Sequence, residues 1–263
     1  MKTLRPVFIV VLLVLMVGMA CSIGTPAKPT QAPVPTEPPV KPTVEEPPTV
    51  ELPTEEPAPT EIPPTEAPPV NEKFFTEEFD QDPGSNWEFT VLGPNSAENA
   101  AKATYSFDSG LMIFNIDFKQ LYAYYMYEAQ SYDNVRVDMR FENRGANSQN
   151  ISLVCRASDE GWYEFSVGSD GLWYLYAHTP KDGFITIKNG GSKAVKQGKA
   201  VNEYGLACNK EKIGLFINGQ EVRDSPFVEK KFALRRGTVG FNVSSINVIP
   251  VKVEVDWFQI SEP

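Results

Sequence analysis

The chain has 263 residues, of which 22% are charged, and its formal net charge is −10 at pH 7. This length suits one large domain with additional segments, and the acidic balance argues against a nucleic-acid partner, which a basic surface would attract. The single histidine, His178, which we place in a loop, excludes a multi-histidine metal site and argues against a Ser-His-Asp triad.

Residues 1–20 have the pattern of an export signal. A positively charged start precedes the apolar run Val7–Met19, which is shorter than the ~18–20 apolar residues that a membrane span needs. The segment Val17–Ser22 is similar to a bacterial lipobox, although a glycine stands where leucine is usual. We expect cleavage before Cys21 and lipidation of its thiol, with plain secretion and an uncleaved anchor as the alternatives. All three place the rest of the chain outside the cytoplasm, lipid-anchored at the cell surface or secreted.

Residues 21–70 combine the predicted lipidated cysteine with a disordered linker. Ser22–Val70 holds 16 of the chain's 23 prolines, no aromatic residue, and two lysines against eight glutamates. Such a composition cannot bury enough apolar surface to offset the entropy of ordering, so we expect no core there. Because proline favours an extended chain of about 3.1 Å per residue, the segment would act as a stalk or as a generic spacer.

Residues 71–263 are predicted to form one all-β domain. Asn134–Phe141 alternates without a fault, with apolar side chains at every second position, and Asp170-Gly171 is a tight hairpin signal. Only Ser96–Ala103 suggests one or two helical turns. The predicted strands are Phe74–Phe79, Leu111–Phe118, Asn134–Phe141, Ile151–Arg156, Trp162–Val167, Leu172–Tyr176, Tyr204–Cys208, Ile213–Ile217, Thr238–Val243 and Val251–Ile260. We therefore predict two antiparallel sheets packed face to face as a jelly-roll β-sandwich.

The central meander, residues 151–176, carries a resemblance to a known superfamily. Its order of C-R, a short acidic turn, W-Y-x-F-x-V and then D-G resembles the concanavalin A-like lectin/glucanase superfamily, especially its laminin G-like and 3-keto-disaccharide-hydrolase-type domains. Leu215–Gly219, Gly237–Phe241 and Val253–Phe258 are similar to three further strands and hairpins of that group. The resemblance covers about residues 74–260 and implies the jelly-roll fold. It implies no single activity, because the members include enzymes, sugar binders and inert scaffolds.

Catalytic residues are not predicted. The glucanase branch of the superfamily uses an E-x-D-x-E strand. The only similar segment here, Glu254-Val255-Asp256, lacks the third carboxylate of that motif. We read Glu254 and Asp256 as part of a solvated strand face that also includes Lys252. A structural calcium ion is left open by the resemblance, with Glu78, Asp80 and Asp256 as oxygen ligands where the first and last strands meet. We predict no metal site and no cofactor.

Aromatic residues suggest a ligand face. The four tyrosines between Tyr122 and Tyr127 occupy both faces of one strand, and two faces cannot both contact one core. Exposed tyrosine and tryptophan rings on a sheet are what a sugar ring stacks on. The candidate ligand-binding residues are Tyr124, Arg156, Trp162, Glu164 and Trp173, with Arg156 and Glu164 as partners for hydroxyl groups. The alternative is that most of these rings belong to the core.

The cysteines Cys155 and Cys208 remain if Cys21 is lipidated, and both lie in an exported domain. Similar domains of the superfamily often carry cysteines at both positions, and this resemblance implies a disulfide between them. Two buried free thiols are the alternative.

Three functions follow from these patterns. The first is a surface-tethered, non-catalytic jelly-roll domain that binds a polysaccharide or an envelope glycan, or serves adhesion. The second, implied by the resemblance, is a carbohydrate-active hydrolase of the 3-keto-disaccharide type. The third is a structural or protein-binding scaffold of the envelope. The expected partners are the membrane, through an N-terminal lipid, and a glycan.

Overall fold

The computed structural model describes residues 72–263. These residues form a two-sheet antiparallel β-sandwich, which confirms the predicted fold class. The predictions for the export signal, the lipidated Cys21 and the proline-rich linker lie outside the described residues. In the described range, no helix is long and apolar enough to cross a membrane.

Sixteen strands make up the sandwich. They are β1 (Phe75–Glu77), β2 (Trp87–Leu92), β3 (Ala103–Asp108), β4 (Leu111–Ile116), β5 (Tyr122–Tyr132), β6 (Val135–Asn143), β7 (Gln149–Ser158), β8 (Gly161–Gly168), β9 (Leu172–Thr179), β10 (Gly183–Gly191), β11 (Val201–Asn209), β12 (Lys212–Ile217), β13 (Gln220–Glu221), β14 (Phe227–Val228), β15 (Gly237–Ser245) and β16 (Val251–Ser261). The short helix α1 (Ser96–Asn99) and two 3₁₀ turns, Gly84–Asn86 and Ala100–Lys102, complete the described secondary structure.

The strands divide into two sheets. Sheet I has the order β13-β12-β11-β6-β16-β4-β3, with β1 paired to β16 and β14 paired to β12. Sheet II has the order β10-β9-β8-β7-β15-β5-β2. Neighbours in sheet II are therefore often distant in sequence, as when β15 lies between β7 and β5. Such long connections are typical of jelly-roll topology.

Alternation along the strands builds the core between the sheets. In β6, Val137 and Met139 are buried, whereas Arg136 and Arg140 lie on the outer face of sheet I and pair with acids. The rings of Trp87 and Tyr125 stack in the core with centroids 4.9 Å apart. The large aromatic side chains that fill the core also include Phe79, Phe114, Phe141, Phe165, Phe241 and Phe258. Burying each such ring stabilises the fold by about 1.5–3 kcal/mol.

Cys155 on β7 and Cys208 on β11 form a disulfide, with their Cα atoms 6.7 Å apart. Because β7 belongs to sheet II and β11 to sheet I, the bond joins the two sheets across the core. Both side chains are fully buried, so the bond is shielded from solvent reductants.

The structure also contains strands that the sequence did not reveal. Five of the described strands, β2, β3, β10, β13 and β14, lie outside every predicted strand. In addition, β9 continues to Thr179, and therefore the prediction that His178 lies in a loop is wrong. His178 is held in the sheet by its register with Trp162 on one side and Phe184 on the other.

Candidate functional site

The outward face of sheet II, which we name the open face, is built by strand register. One row of directly opposed residues crosses all seven strands: Thr90, Tyr124, Asn242, Ser152, Ser166, Tyr174 and Asn189. The next row crosses all seven: Glu88, Met126, Gly240, Val154, Glu164, Tyr176 and Thr186. The alternation of side chains in β-strands therefore gathers Tyr124 and Glu164 on one surface, as predicted.

Glu164 lies at the centre of this face and is 5% exposed. Its Oε2 atom accepts hydrogen bonds from the Tyr124 hydroxyl at 2.9 Å and from Trp162 Nε1 at 3.0 Å. Burial raises the pKa of the Glu164 carboxyl, and the hydrogen bonds from Trp162, Ser152 and Tyr124 oppose that rise. The same burial, together with the adjacent carboxyl group, raises the pKa of Tyr124 well above its usual value.

Trp162 is held rigidly beside Glu164. One face of its indole stacks on the His178 imidazole, with ring centroids 3.8 Å apart and planes at 18°. Phe184 and Tyr124 contact it edge-on, at 5.9 Å and 6.1 Å between centroids. Since His178 is on β9, the second face of the indole is turned toward β7, β15 and β5. Trp162 is thus a fixed, partly exposed aromatic surface that borders a groove.

A groove of about 270 Å³ lies on that side of the indole. Val154 and Met126 supply apolar floor, and the turn that contains Asp159 supplies a wall. The complete lining is Thr90, Leu92, Tyr124, Met126, Glu128, Val154, Ala157, Ser158, Asp159, Trp162 and Thr238. The groove therefore offers an apolar platform with hydroxyl and carboxylate groups around it, and no lysine or arginine.

Arg156 does not reach this face, contrary to the prediction that it binds a ligand. It has a positive φ of 56° in an irregular stretch of β7, and its side chain is buried. The guanidinium donates hydrogen bonds to the carbonyl oxygens of Asp133, Lys210 and Leu234 at 2.6–3.1 Å. These bonds occupy four of its five N–H groups, so its role here is to hold three loops together.

Trp173 also lies away from the open face. Its side chain points into the core, where it packs against Phe165 and Phe227 with centroids 6.4 Å and 6.1 Å apart. The ring fills the space that a side chain at Gly190 would occupy. The two tryptophans of the central hairpin are therefore on opposite sides of sheet II, and only Trp162 belongs to the candidate site.

The other carboxyl groups of the open face lie away from Glu164. Glu88 on β2 and Glu128 on β5 lie four and three strands from Glu164, roughly 19 Å and 14 Å at about 4.8 Å per strand. Asp159 lies in the turn before β8, and β8 begins three residues before Glu164. The start of β8 is therefore roughly 10 Å from Glu164 along the strand. Paired glycosidase carboxyls lie about 5–9.5 Å apart.

The acidic residues of β16 are engaged in ion pairs on sheet I. Glu254 contacts Arg144 at 2.7 Å, and Asp256 contacts Arg140 at 2.8 Å. This pairing fits the predicted charged strand face. Within residues 72–263, no group of three or more histidine, cysteine or acidic residues is arranged to hold a metal ion, and Glu78, Asp80 and Asp256 do not form such a group.

The sequence reasoning missed several residues of the site. His178, Phe184 and Tyr176 extend the aromatic surface beyond Trp162 on β9 and β10, and Phe184 is 45% exposed. The alternation in Phe184-Ile185-Thr186-Ile187 was a signal for β10 that could have placed Phe184 on this face. The groove residue Thr90 on β2 had a comparable signal, since Trp87, Phe89 and Val91 alternate with Glu88 and Thr90.

The architecture is a concanavalin A-like β-sandwich. The chain matches no family model, and no curated protein matches it. Among solved structures, the Bacteroides ovatus mixed linkage glucan GH16 protein in complex with its G4G4G3G product is similar over 71% of this chain and 99% of its own, with 12% identity and a TM-score of 0.56.

Two further structures show the same fold. The laminarinase from Flavobacterium sp. UMI-01 is similar over 72% of this chain and 99% of its own, with 13% identity and a TM-score of 0.53. A Bacillus subtilis protein of unknown function with a galectin-like fold is similar over 72% of this chain and 94% of its own, with 11% identity and a TM-score of 0.53.

Proposed function

We propose that the chain is a non-catalytic carbohydrate-binding protein whose open face holds a glycan in the groove beside Trp162. The observation that carries this proposal is the fixed, partly exposed indole that borders the groove, because sugar rings stack their apolar faces on rigid aromatic rings. His178 and Glu164 hold the indole before any ligand arrives, so little entropy would be lost on binding.

The ring of groups around the platform suits sugar hydroxyls. Thr90, Ser158 and Thr238 line the groove with hydroxyls, and Glu128 and Asp159 add acceptors. Proteins of this fold whose names refer to glucan or laminarin support a carbohydrate ligand for this chain as well. The absence of a second carboxyl at glycosidase spacing from Glu164 on the described open face favours binding over hydrolysis.

We further propose that the domain is presented outside the cytoplasm, lipid-anchored through Cys21, with secretion as the alternative. The supporting observation is the sequence order of apolar run, cysteine and proline-rich segment. A stalk of that composition would let the open face reach a glycan at a distance from the membrane.

Screening the full chain against a glycan array, followed by calorimetry with the best oligosaccharide, tests the binding proposal. We expect Trp162→Ala to weaken binding about 10-fold or more, since a stacked aromatic ring contributes about 1–3 kcal/mol to a complex. Trp257→Ala is the matched control, because Trp257 is a partly exposed tryptophan on β16 of sheet I. The proposal fails if no glycan binds, or if Trp162→Ala binds as well as the control.

A carbohydrate-active hydrolase is the second candidate. The observation in its favour is the buried Glu164, whose raised pKa suits a proton donor. Incubation with the glycans that bind would then release new reducing ends, and Glu164→Gln would abolish this release while keeping the fold. If the wild-type chain releases none, the hydrolase candidate is eliminated.

A further inference from the structure

One end of the sandwich gathers positive charge in an otherwise acidic domain. The exposed cations there come from the β11–β12 turn and from the segment between β14 and β15: Lys210, Lys212, Lys230, Lys231, Arg235 and Arg236. We name this set the basic end. Four of its members, Lys210, Lys212, Lys230 and Arg235, line a cavity of about 630 Å³ together with Val228, which is 62% exposed.

Hydrogen bonds from buried side chains fix the backbone of the loops at the basic end. The buried Arg156 guanidinium joins the carbonyls of Asp133, Lys210 and Leu234, which belong to three separate segments. The buried carboxyl of Glu229 accepts hydrogen bonds from the backbone N–H groups of residues 231–233 and from the Tyr163 hydroxyl. The cations are thus displayed on loops of fixed backbone, which keeps them together despite their mutual repulsion.

The positive charge is only partly neutralised. Glu211 pairs with both Lys230 and Arg235, at 3.1 Å and 3.5 Å, and Asp133 pairs with Arg236 at 3.4 Å. Glu211 and Asp133 thus pair with three of the six exposed cations, and Glu262 adds one further carboxylate at the neighbouring cavity. Residues 72–263 as a whole carry 20 basic and 26 acidic side chains, so the basic end is opposite in sign to the rest of the domain. A concentrated charge of this kind attracts an extended anionic surface.

The chain enters the domain at this same end. The Tyr132 hydroxyl donates a hydrogen bond to the Lys73 carbonyl at 2.8 Å, which fixes the start of the described chain. Lys73 and Asn209 both line a second cavity, of about 330 Å³, and Asn209 also lines the cavity of the basic end. The N-terminal segment with its expected membrane anchor is therefore attached beside the cations.

We propose that the basic end docks on the anionic phospholipid headgroups of the membrane to which the N-terminal segment leads. Lysine and arginine side chains near an anionic bilayer each add to its affinity. The exposed Val228 stands among them as an apolar contact at headgroup depth. Docking would orient the domain on the membrane in addition to the tether, and it does not depend on the glycan proposal.

Co-sedimentation of the full chain with lipid vesicles tests this proposal. The vesicles are phosphatidylcholine alone, or phosphatidylcholine mixed with phosphatidylglycerol. The test variant carries Lys210→Gln, Lys212→Gln, Lys230→Gln and Arg235→Gln. The matched control carries Lys181→Gln, Lys193→Gln, Lys196→Gln and Lys199→Gln, which remove the same charge from exposed positions near β10 and β11. The N-terminal segment is identical in both variants, so their difference reports on the basic end.

We expect the wild type to bind the anionic vesicles more tightly than neutral ones, and added salt to reduce the difference. The test variant should lose roughly 10-fold or more of its affinity for anionic vesicles, and the control much less. Equal binding to both vesicle types, or equal loss in both variants, would overturn the proposal. So would binding to soluble heparin without binding to vesicles, since that result would define a polyanion site instead.

Discussion

Trp162 and His178 are directly opposed on β8 and β9, and their rings lie 3.8 Å apart at an angle of 18°. Burial lowers the pKa of His178, so the imidazole is neutral at neutral pH and the stack carries no charge. The single histidine of the chain therefore acts as a support for the indole. The stacked imidazole holds the indole in place beside the groove, and this fixed ring is the basis of the proposed glycan site.

The two tryptophans of the central hairpin should differ in their effect on stability. Trp173→Ala removes a ring buried in the core and should lower the free energy of unfolding by about 3–5 kcal/mol. Trp162→Ala removes a half-buried ring from the open face and should cost less, about 1 kcal/mol for the lost aromatic contacts. Denaturant unfolding of both variants measures the difference. Equal costs would contradict the assignment of Trp162 to the open face.

The stability of the domain should depend on pH through Glu164. Because its pKa is raised in the folded state, folding favours the protonated carboxyl, and this stabilisation is lost as pH rises from the unfolded pKa through the folded pKa. One such group lowers the free energy of unfolding by at most about 1.4 kcal/mol per pH unit. Glu164→Gln should flatten this decline at pH values above about 4, where the unfolded carboxyl begins to ionise.

Unfolding curves of wild type and Glu164→Gln across that pH range provide the measurement. Glu77 and Glu128 also have raised pKa values and remain in both proteins, so they contribute equally. Parallel pH profiles for the two proteins would show that Glu164 does not titrate in this way.

The Cys155–Cys208 bond should be present in the exported protein. It closes a loop of 53 residues, and the chain-entropy model assigns such a loop roughly 4 kcal/mol of stabilisation. When the unreduced protein is treated with an alkylating reagent, mass spectrometry should find neither Cys155 nor Cys208 alkylated. The double variant Cys155→Ala, Cys208→Ala should unfold at lower denaturant concentration. Two reactive thiols in the native protein would establish the free-thiol alternative.

The anchor prediction is tested by Cys21→Ser. If the thiol is lipidated, this variant should move from the membrane fraction to the soluble fraction or the medium. Fractionation followed by immunoblotting measures the shift relative to the wild type. A variant that stays in the membrane without cleavage would instead support an N-terminal anchor.

Short-range sequence patterns by themselves determine much of this protein. The alternation in Trp162–Val167 placed Trp162 and Glu164 on one face and Tyr163 and Phe165 on the other, because side chains in a strand repeat every two residues. The turn residues and apolar runs predicted most of the strands, and hence the β-sandwich, for the same local reason.

Only the tertiary structure decided which face of each strand is open. Trp162 and Trp173 are both aromatic residues of sheet II, but their side chains point to opposite sides of that sheet. Sheet I packs on the inner side, so it covers Trp173 and leaves Trp162 on the outer side. Arg156 belongs to a predicted strand, but its backbone is irregular and its guanidinium donates hydrogen bonds to carbonyl groups of distant segments. Its side chain is therefore buried at one end of the sandwich. The groove and the basic end likewise join residues far apart in sequence, and their juxtaposition depends on sheet order, which no local pattern encodes.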